Sequence, residues 1–288
     1  MNPYVLLTDS ACDIPNATLR DWGVAVVQMS FTFDGDPRNY LNCDMEAPIF
    51  YGRMRHSEIA HTSAINFETF RDIFTPYLRQ GQDICYLAFS SGLSSTCQSA
   101  AMAARELMAE YPDRRIYVVD TLSASAGFGL LVYLASLQRN NGVTLDQLVS
   151  YVEAQKLHLC HWFTVDHLTY LKRGGRVSPT AAAVGQFLQI KPVLHVDDEG
   201  HLIPASKARG RRASIIAMAE QYGQTSLQKD SVIFIGHGDC RDDAEYLAQL
   251  LRTEHGATGE IRLFEIGAVI GAHSGPGTLA LFFLGDHR

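Results

Sequence analysis

Short apolar runs alternate with helically spaced ones along the first half of the chain. Strands are predicted at residues 4–7, 24–29, 84–89 and 116–119, and Phe31-Thr-Phe33 pairs beyond the second before an Asp34-Gly35 turn. Apolar positions at helical spacing predict helices over 16–22, 67–79, 95–111 and 123–140. This strand–helix rhythm implies a mostly parallel sheet with helices on both faces, a three-layer α/β/α domain. The second half mixes hairpins with helices and reads as α+β. Its helices are predicted at 145–155, 211–221 and 242–255, and its strands at 161–165, 193–197, 201–205, 232–236, 260–266 and 279–284. Asp198-Glu199-Gly200 supplies the hairpin turn. The boundary is placed near residue 158, giving domains 1–158 and 159–288.

Composition narrows the function classes. A chain of 288 residues is long enough for two domains, each with its own core. A net charge of −7 argues against general nucleic-acid binding, because no cation excess offsets phosphate repulsion. Lys207-Ala-Arg-Gly-Arg-Arg212 is a cationic exception: either solvated surface or a dock for an acidic or phosphorylated partner. Six scattered cysteines without a CxxC pair suit a reducing cytoplasm, and Asp9 arrives too early for a signal peptide. Residues 121–138 and 266–285 lack charge, but serines, glycines and a proline interrupt them, so no stable membrane insertion is expected.

Several segments carry binding chemistry. In Leu168-Thr-Tyr-Leu-Lys-Arg-Gly-Gly-Arg-Val-Ser178 a basic turn, Lys172 to Arg176, is hinged on two glycines and leads toward Ala181, Ala182, Ala183 and Gly185. Cations at a mouth with a smooth apolar wall behind suit a ligand with an anionic head and a greasy body. A basic surface loop before a tightly packed core helix fits equally. Ser90-Ser-Gly-Leu-Ser-Ser-Thr96, at a strand-to-helix junction, is either an anion site or a simple serine cap. His61-Thr62-Ser63 and Thr8-Asp9-Ser10 are further hydroxyl turns, and all three could converge where the parallel strands end. His273, in a glycine-bracketed loop, is either an anion donor or structural, as is His237.

Other chemistries lack their signatures. There is no phosphate loop, and Gly127-Phe-Gly129 lacks a third glycine at Val132. No GxSxG elbow occurs, Asp9 and Asp13 lack a phosphotransferase spacing, and His158 and His161 point to opposite faces of any strand, which speaks against a metal.

In order, these segments resemble the DegV family. The resemblance rests on Thr8-Asp-Ser-Ala-Cys-Asp-Ile-Pro15, Thr62-Ser63, Ser90 to Ala100, Asp120 to Gly129, Tyr170 to Ser178, Ile190-Lys-Pro192, Lys207-Ala-Arg-Gly210 and Ile270 to Gly277. It implies a two-domain fold with a long-chain fatty acid buried between the domains and no other cofactor. It also implies that the carboxylate is held by Thr62, Ser63, Ser94, Ser95 and His273, with Arg173 near the head group. The resemblance further implies that Lys207 and Arg209 face the ATP-binding subunit of a fatty acid kinase, so that this chain presents a substrate rather than catalysing its phosphorylation. Two departures stand out: Ala64-Ile65-Asn66 replaces a usual Gln-Pro-Ser, and Ser94-Ser95-Thr96-Cys97 replaces Ser-Gly-Thr-Tyr. A stand-alone serine hydrolase using Ser94 or Ser95 with His273, or a lipid-sensing regulator, are the alternatives.

Overall fold

The structure, a computed structural model, describes residues 3–177 and 190–288. The small-residue stretch from Ala181 to Gly185, and Ser178 before it, lie outside the described residues.

The first half runs β1 (Tyr4–Asp9), α1 (Asn16–Asp21), β2 (Ala25–Val27), β3 (Ser30–Phe33), β4 (Tyr40–Leu41), α2 (Ala47–Arg55), β5 (Ala60–Ser63) and α3 (Phe67–Arg79). It continues through β6 (Asp83–Ala88), α4 (Thr96–Glu110), β7 (Ile116–Asp120), α5 (Ser125–Asn140) and α6 (Leu145–Gln155). Strands β2-β1-β6-β7 form a parallel sheet. All six residues of β6 are buried, as a parallel strand covered on both faces requires. Helix α3 buries Phe70, Phe74 and Leu78, one residue per turn, and the Asn66 side chain caps its start by accepting the Thr69 N–H at 2.9 Å. Thr144 and Gln147 close a capping box that starts α6.

The second half comprises β8 (Leu159–Thr164), α7 (Thr169–Arg173), β9 (Ile190–Val196), β10 (Leu202–Arg209), α8 (Arg211–Thr225), β11 (Ile233–His237), α9 (Arg241–Thr253), β12 (Ile261–Glu265), α10 (Ala268–Ser274) and β13 (Leu279–Leu284). Its sheet, ordered β10-β9-β8-β13-β11-β12, is antiparallel apart from the β11–β12 pair. Each large sheet is thus drawn from one side of residue 158, and on that ground we propose the division there. The hydrophobic core is nevertheless continuous across it: Leu6, Phe128, Phe163 and Phe282 belong to one buried cluster. Helix α5 causes this. Its charge-free first two turns, residues 125–132, are buried all round, so it needs apolar cover from both sheets.

Four local expectations differ from the structure. His61-Thr62-Ser63 is not a turn but part of β5, which pairs with β3 in a small separate sheet. The His273 segment is the short helix α10 rather than a loop. The strand expected at 201–205 extends to Arg209, so Lys207 and Arg209 stand on an exposed sheet edge and not in a loop. Helix α2 was not anticipated; it buries Phe50, Tyr51 and Met54 in a third cluster with Phe31, Phe33, Ala268 and Ala272.

Close approach fixes where α5 sits. A Cβ at Gly129 would stand 2.6 Å from the Ile14 side chain and 2.7 Å from the Cys12 carbonyl oxygen, and the backbone cannot swing aside. Gly129→Val is therefore expected to destabilise the protein by about 3 kcal/mol through overpacking, read as a lower midpoint in urea at unchanged slope. A midpoint equal to wild type would show that α5 has room to shift.

Candidate ligand-binding site

A cavity lies between the two large sheets, at the carboxyl ends of β1 and β6, where ligands collect in open α/β sheets. Its walls are mostly apolar, with Met29, Phe89 and Leu93 from the first half facing Phe163, Val196, Leu202, Ile266, Val269 and Phe282 from the second. Polar groups gather where the Ser90–Thr96 turn, β5, α7 and α10 meet. Thr62 Oγ1 lies 2.8 Å from His273 Nε2. Ser94 Oγ lies 2.9 Å from Thr96 Oγ1 and accepts the Thr96 N–H at 3.2 Å.

Of the residues expected to hold a head group, Thr62, Ser94, Ser95 and His273 line this cavity. Ser63 does not: alternation along β5 turns it to the exposed face opposite Thr62. Arg173 is also exposed and off the cavity wall, with its guanidinium over the Tyr170 ring, 5.2 Å from the centroid. Its place is taken by Arg176. The left-handed Gly175 (φ 70°) turns the chain back, and the half-buried Arg176 side chain lines the cavity. Its Nε and Nη2 donate to the Leu93 carbonyl at 3.1 and 3.0 Å, and Nη1 donates to the Gly174 carbonyl. Among the described residues no carboxylate pairs with it. The basic run pointed to this turn, but which cation faced inward depended on the Gly-Gly reversal.

The third hydroxyl turn supports the site without lining it. Asp9 is buried and accepts hydrogen bonds from the Tyr86 hydroxyl (2.7 Å) and the N–H groups of Phe89 and Ala11 (3.0 Å each). Ser10 Oγ accepts the Met29 N–H at 2.9 Å, so this turn fixes two wall residues, Met29 and Phe89. Four further polar side chains line the cavity: Ser125, Thr278, Ser274, whose Oγ has no partner among the described residues, and His161, on β8, which the sequence offered only as half of a metal pair. His237 is buried at the end of β11 and is not on the wall.

Helix α10, which carries His273, is held at its start by distant groups. Gly267 N–H donates to Asp13 Oδ1 and Val269 N–H to Asn42 Oδ1, each at 2.9 Å. The other Asp13 oxygen accepts the Ser125 hydroxyl at 2.6 Å, at the first residue of α5. At the far end of the helix, a Cβ on Gly174 would collide with His273 Nδ1 and one on Gly275 with the Tyr170 ring, so the close approach of α7 and α10 depends on both glycines. Burial, with the Arg176, Arg173 and His61 charges adding to it, lowers the His273 pKa to about 4. The imidazole is therefore neutral at pH 7 and leaves Arg176 as the cation of the cavity among the described residues.

Residues 4–286 match the family described as "Uncharacterised protein, DegV family". The chain belongs to the DegV family. A DegV domain-containing protein of Clostridium perfringens is 41% identical over 290 aligned positions, covering 100% of this chain and 99% of that one. One from Streptococcus pyogenes is 34% identical and covers 99% of both chains. Among solved structures, a fatty-acid-binding DegV family protein of Thermus thermophilus superposes with a TM-score of 0.88 at 28% identity, covering 99% of this chain and 100% of that one. A Thermotoga maritima protein described as revealing fatty acid binding function superposes with a TM-score of 0.83 at 27% identity, covering 99% of this chain and 100% of that one.

Within this DegV chain the first departure reaches the serine turn that carries the second. Ile65 N–H donates to Thr96 Oγ1 at 3.3 Å, a bond that a proline at position 65 could not make. Thr96 in turn contacts Ser94, so the changed β5–α3 junction meets Ser94 through one hydroxyl.

Burial raises the pKa of Asp13 to about 7 and that of Asp9 to about 6. Both carboxyls bind a proton more tightly folded than unfolded, so their contribution to stability is complete below about pH 4 and is lost as pH rises through 6 to 7. His273 runs the other way, its contribution being lost as pH falls from 6.5 toward 4. Asp13→Asn cannot titrate. The stability difference between wild type and this variant is expected to move in favour of wild type as pH falls from about 8 to about 5, by at most about 1.4 kcal/mol per pH unit. A constant difference in urea titrations across that range would exclude a titrating Asp13.

Proposed function

We propose that this protein binds a long-chain fatty acid, with the acyl chain in the cavity between the sheets and the carboxylate at Thr62, Ser94, His273 and Arg176. The observation that carries the reading is Arg176: a half-buried guanidinium on an apolar cavity whose hydrogen-bond partners among the described residues are all backbone carbonyls. A cation withdrawn from water without a counter-charge favours an anionic ligand. The apolar walls favour a greasy body behind that anion. Burying about fifteen methylenes is worth roughly 12 kcal/mol before the costs of association. The fatty acid binding described for the Thermus and Thermotoga relatives supports the same ligand class.

The hydrolase alternative finds no support in the geometry. Ser94 pairs with Thr96 rather than with an imidazole, and His273 pairs with Thr62. Transfer chemistry belongs, in this proposal, to a cytoplasmic partner kinase that brings ATP and converts the bound acid to an acyl phosphate. Lys207 and Arg209 suit its docking because they project from the exposed edge strand β10. By contrast, Arg211 is held by Asp243 at 2.8 Å and Arg212 lies over Tyr246.

Native mass spectrometry of the purified protein, followed by denaturing extraction, is expected to find a fatty acid at one per chain. A protein that arrives empty and takes up no added fatty acid would overturn the reading. Thr62→Val and Ser94→Ala should each weaken binding roughly tenfold, the loss of one hydrogen bond to a charged group; unchanged affinity in both would move the head group elsewhere. Arg209→Glu is expected to abolish acyl-phosphate formation by the partner kinase at unchanged lipid affinity. Lost lipid binding would instead assign Arg209 to the pocket.

A further inference from the structure

Two segments from opposite halves of the chain meet behind the cavity wall, and one side chain joins them. The Ser90–Thr96 turn carries Leu93 and Ser94, the β9–β10 hairpin carries Val196 and Leu202, and all four line the cavity. Ser90 itself is fully buried and lies off the wall. Its hydroxyl donates to the Gly200 carbonyl at the hairpin tip, 2.9 Å away and 110 residues later in the chain. The same oxygen accepts the Gly92 N–H at 3.2 Å, and the Ser90 carbonyl accepts the N–H groups of Leu93 and Ser94, each at 3.1 Å. The Ser90 N–H donates to the Ser123 carbonyl, so every polar atom of the residue is used.

A serine cap does not explain this pattern. Helix α4 starts at Thr96, and the side chain that accepts the Thr96 N–H is that of Ser94. Ser90 instead meets a hairpin whose tip is held from within. The Asp197 carboxylate accepts the Glu199 and His201 N–H groups at 3.0 and 2.9 Å, and Gly200 takes a left-handed φ of 80°. The two backbones are close. A Cβ at Gly92 would lie 2.9 Å from the Glu199 and Gly200 carbonyl oxygens, and one at Gly200 would collide with Ser90 Oγ. Among the described residues, the Ser90 hydroxyl is the hydrogen-bonding link between the serine turn and the hairpin.

The turn fixed in this way delivers two parts of the head-group cluster. Ser94 lines the cavity, and the Leu93 carbonyl receives both Nε and Nη2 of Arg176. A shift of the turn therefore moves a hydroxyl and the anchor of the cation together. Hydrogen bonds to a carboxylate are short and directional, whereas non-directional apolar contacts along an acyl chain tolerate such a shift.

Resting on the fatty-acid reading above, we propose that Ser90 is a positioning residue for the carboxylate. By tying the serine turn to the hairpin of the other half, it holds Ser94 and Arg176 in register for the head group without touching the ligand. The link is reciprocal, so a carboxylate that orders the turn also orders the hairpin tip.

Affinities for stearic acid and for its neutral counterpart octadecanol would be measured on the purified, delipidated protein. The variants are Ser90→Ala and Gly200→Ala, which break the bond from either side. Each is expected to bind stearic acid about tenfold more weakly at unchanged octadecanol affinity, so that the preference for the acid shrinks. In the unmutated protein, hydrogen exchange from Glu199 to His201 should slow on adding stearic acid and not on adding octadecanol, although that tip lies off the cavity wall. This readout keeps the test decisive if a variant fails to fold. Equal losses for acid and alcohol would reduce Ser90 to a structural role and overturn the proposal. So would unchanged stearic acid affinity in folded variants, or exchange at the tip that ignores stearic acid or answers both ligands alike. Each of these leaves the fatty-acid reading standing. An unmutated protein that binds no stearic acid would overturn both.

Discussion

One buried carboxylate holds the binding region together. Asp13, in the loop after β1, accepts the Ser125 hydroxyl with one oxygen and the Gly267 N–H with the other. Those bonds join the first parallel sheet to the start of α5 and to the start of α10. Ser125 has a left-handed backbone, φ 55°, which a non-glycine residue adopts at a cost, and the hydrogen bond to Asp13 offsets it. Gly267 opens a helix too short to be stable alone, so its exposed N–H groups need partners from elsewhere. His273 is thus where it is because of a residue 260 positions earlier in the chain.

The same fact separates what the sequence made legible from what it did not. Helices α3 and α6 and strand β13 follow the expected bounds because periodicity, capping residues and flanking turns agree locally. Helix α10 was hidden because Gly267, Gly271 and Gly275 argue for a loop at short range. Its support is remote: Asp13 and Asn42 cap it, and Tyr51 packs against Gly271 while donating to the Ile266 carbonyl at 2.8 Å. Strand β5 was hidden for a related reason, since only its ladder to β3 distinguishes His61-Thr62-Ser63 from a turn.

At the candidate site, the residue types were readable and their directions were not. Thr62, Ser94 and His273 converge as their motifs implied, but Ser63 is turned away by strand alternation and Arg173 by the reversal at Gly174-Gly175. The inward cation is Arg176, three residues further on. A basic cluster announces a charged mouth; only the backbone path says which member reaches it.

The hydroxyls at the head of the cavity are fed from behind. Ile65 N–H meets Thr96 Oγ1, Thr96 Oγ1 meets Ser94 Oγ, and Ser94 Oγ faces the cavity. When an acceptor in the cavity takes the Ser94 hydrogen, Thr96 turns its own hydrogen to Ser94 and relies on the backbone amide in turn. Each link then strengthens the next. The chain of dipoles behaves as a rectifier: a negative ligand polarises it in one sense along its whole length, and a positive one meets a terminal amide that cannot reverse.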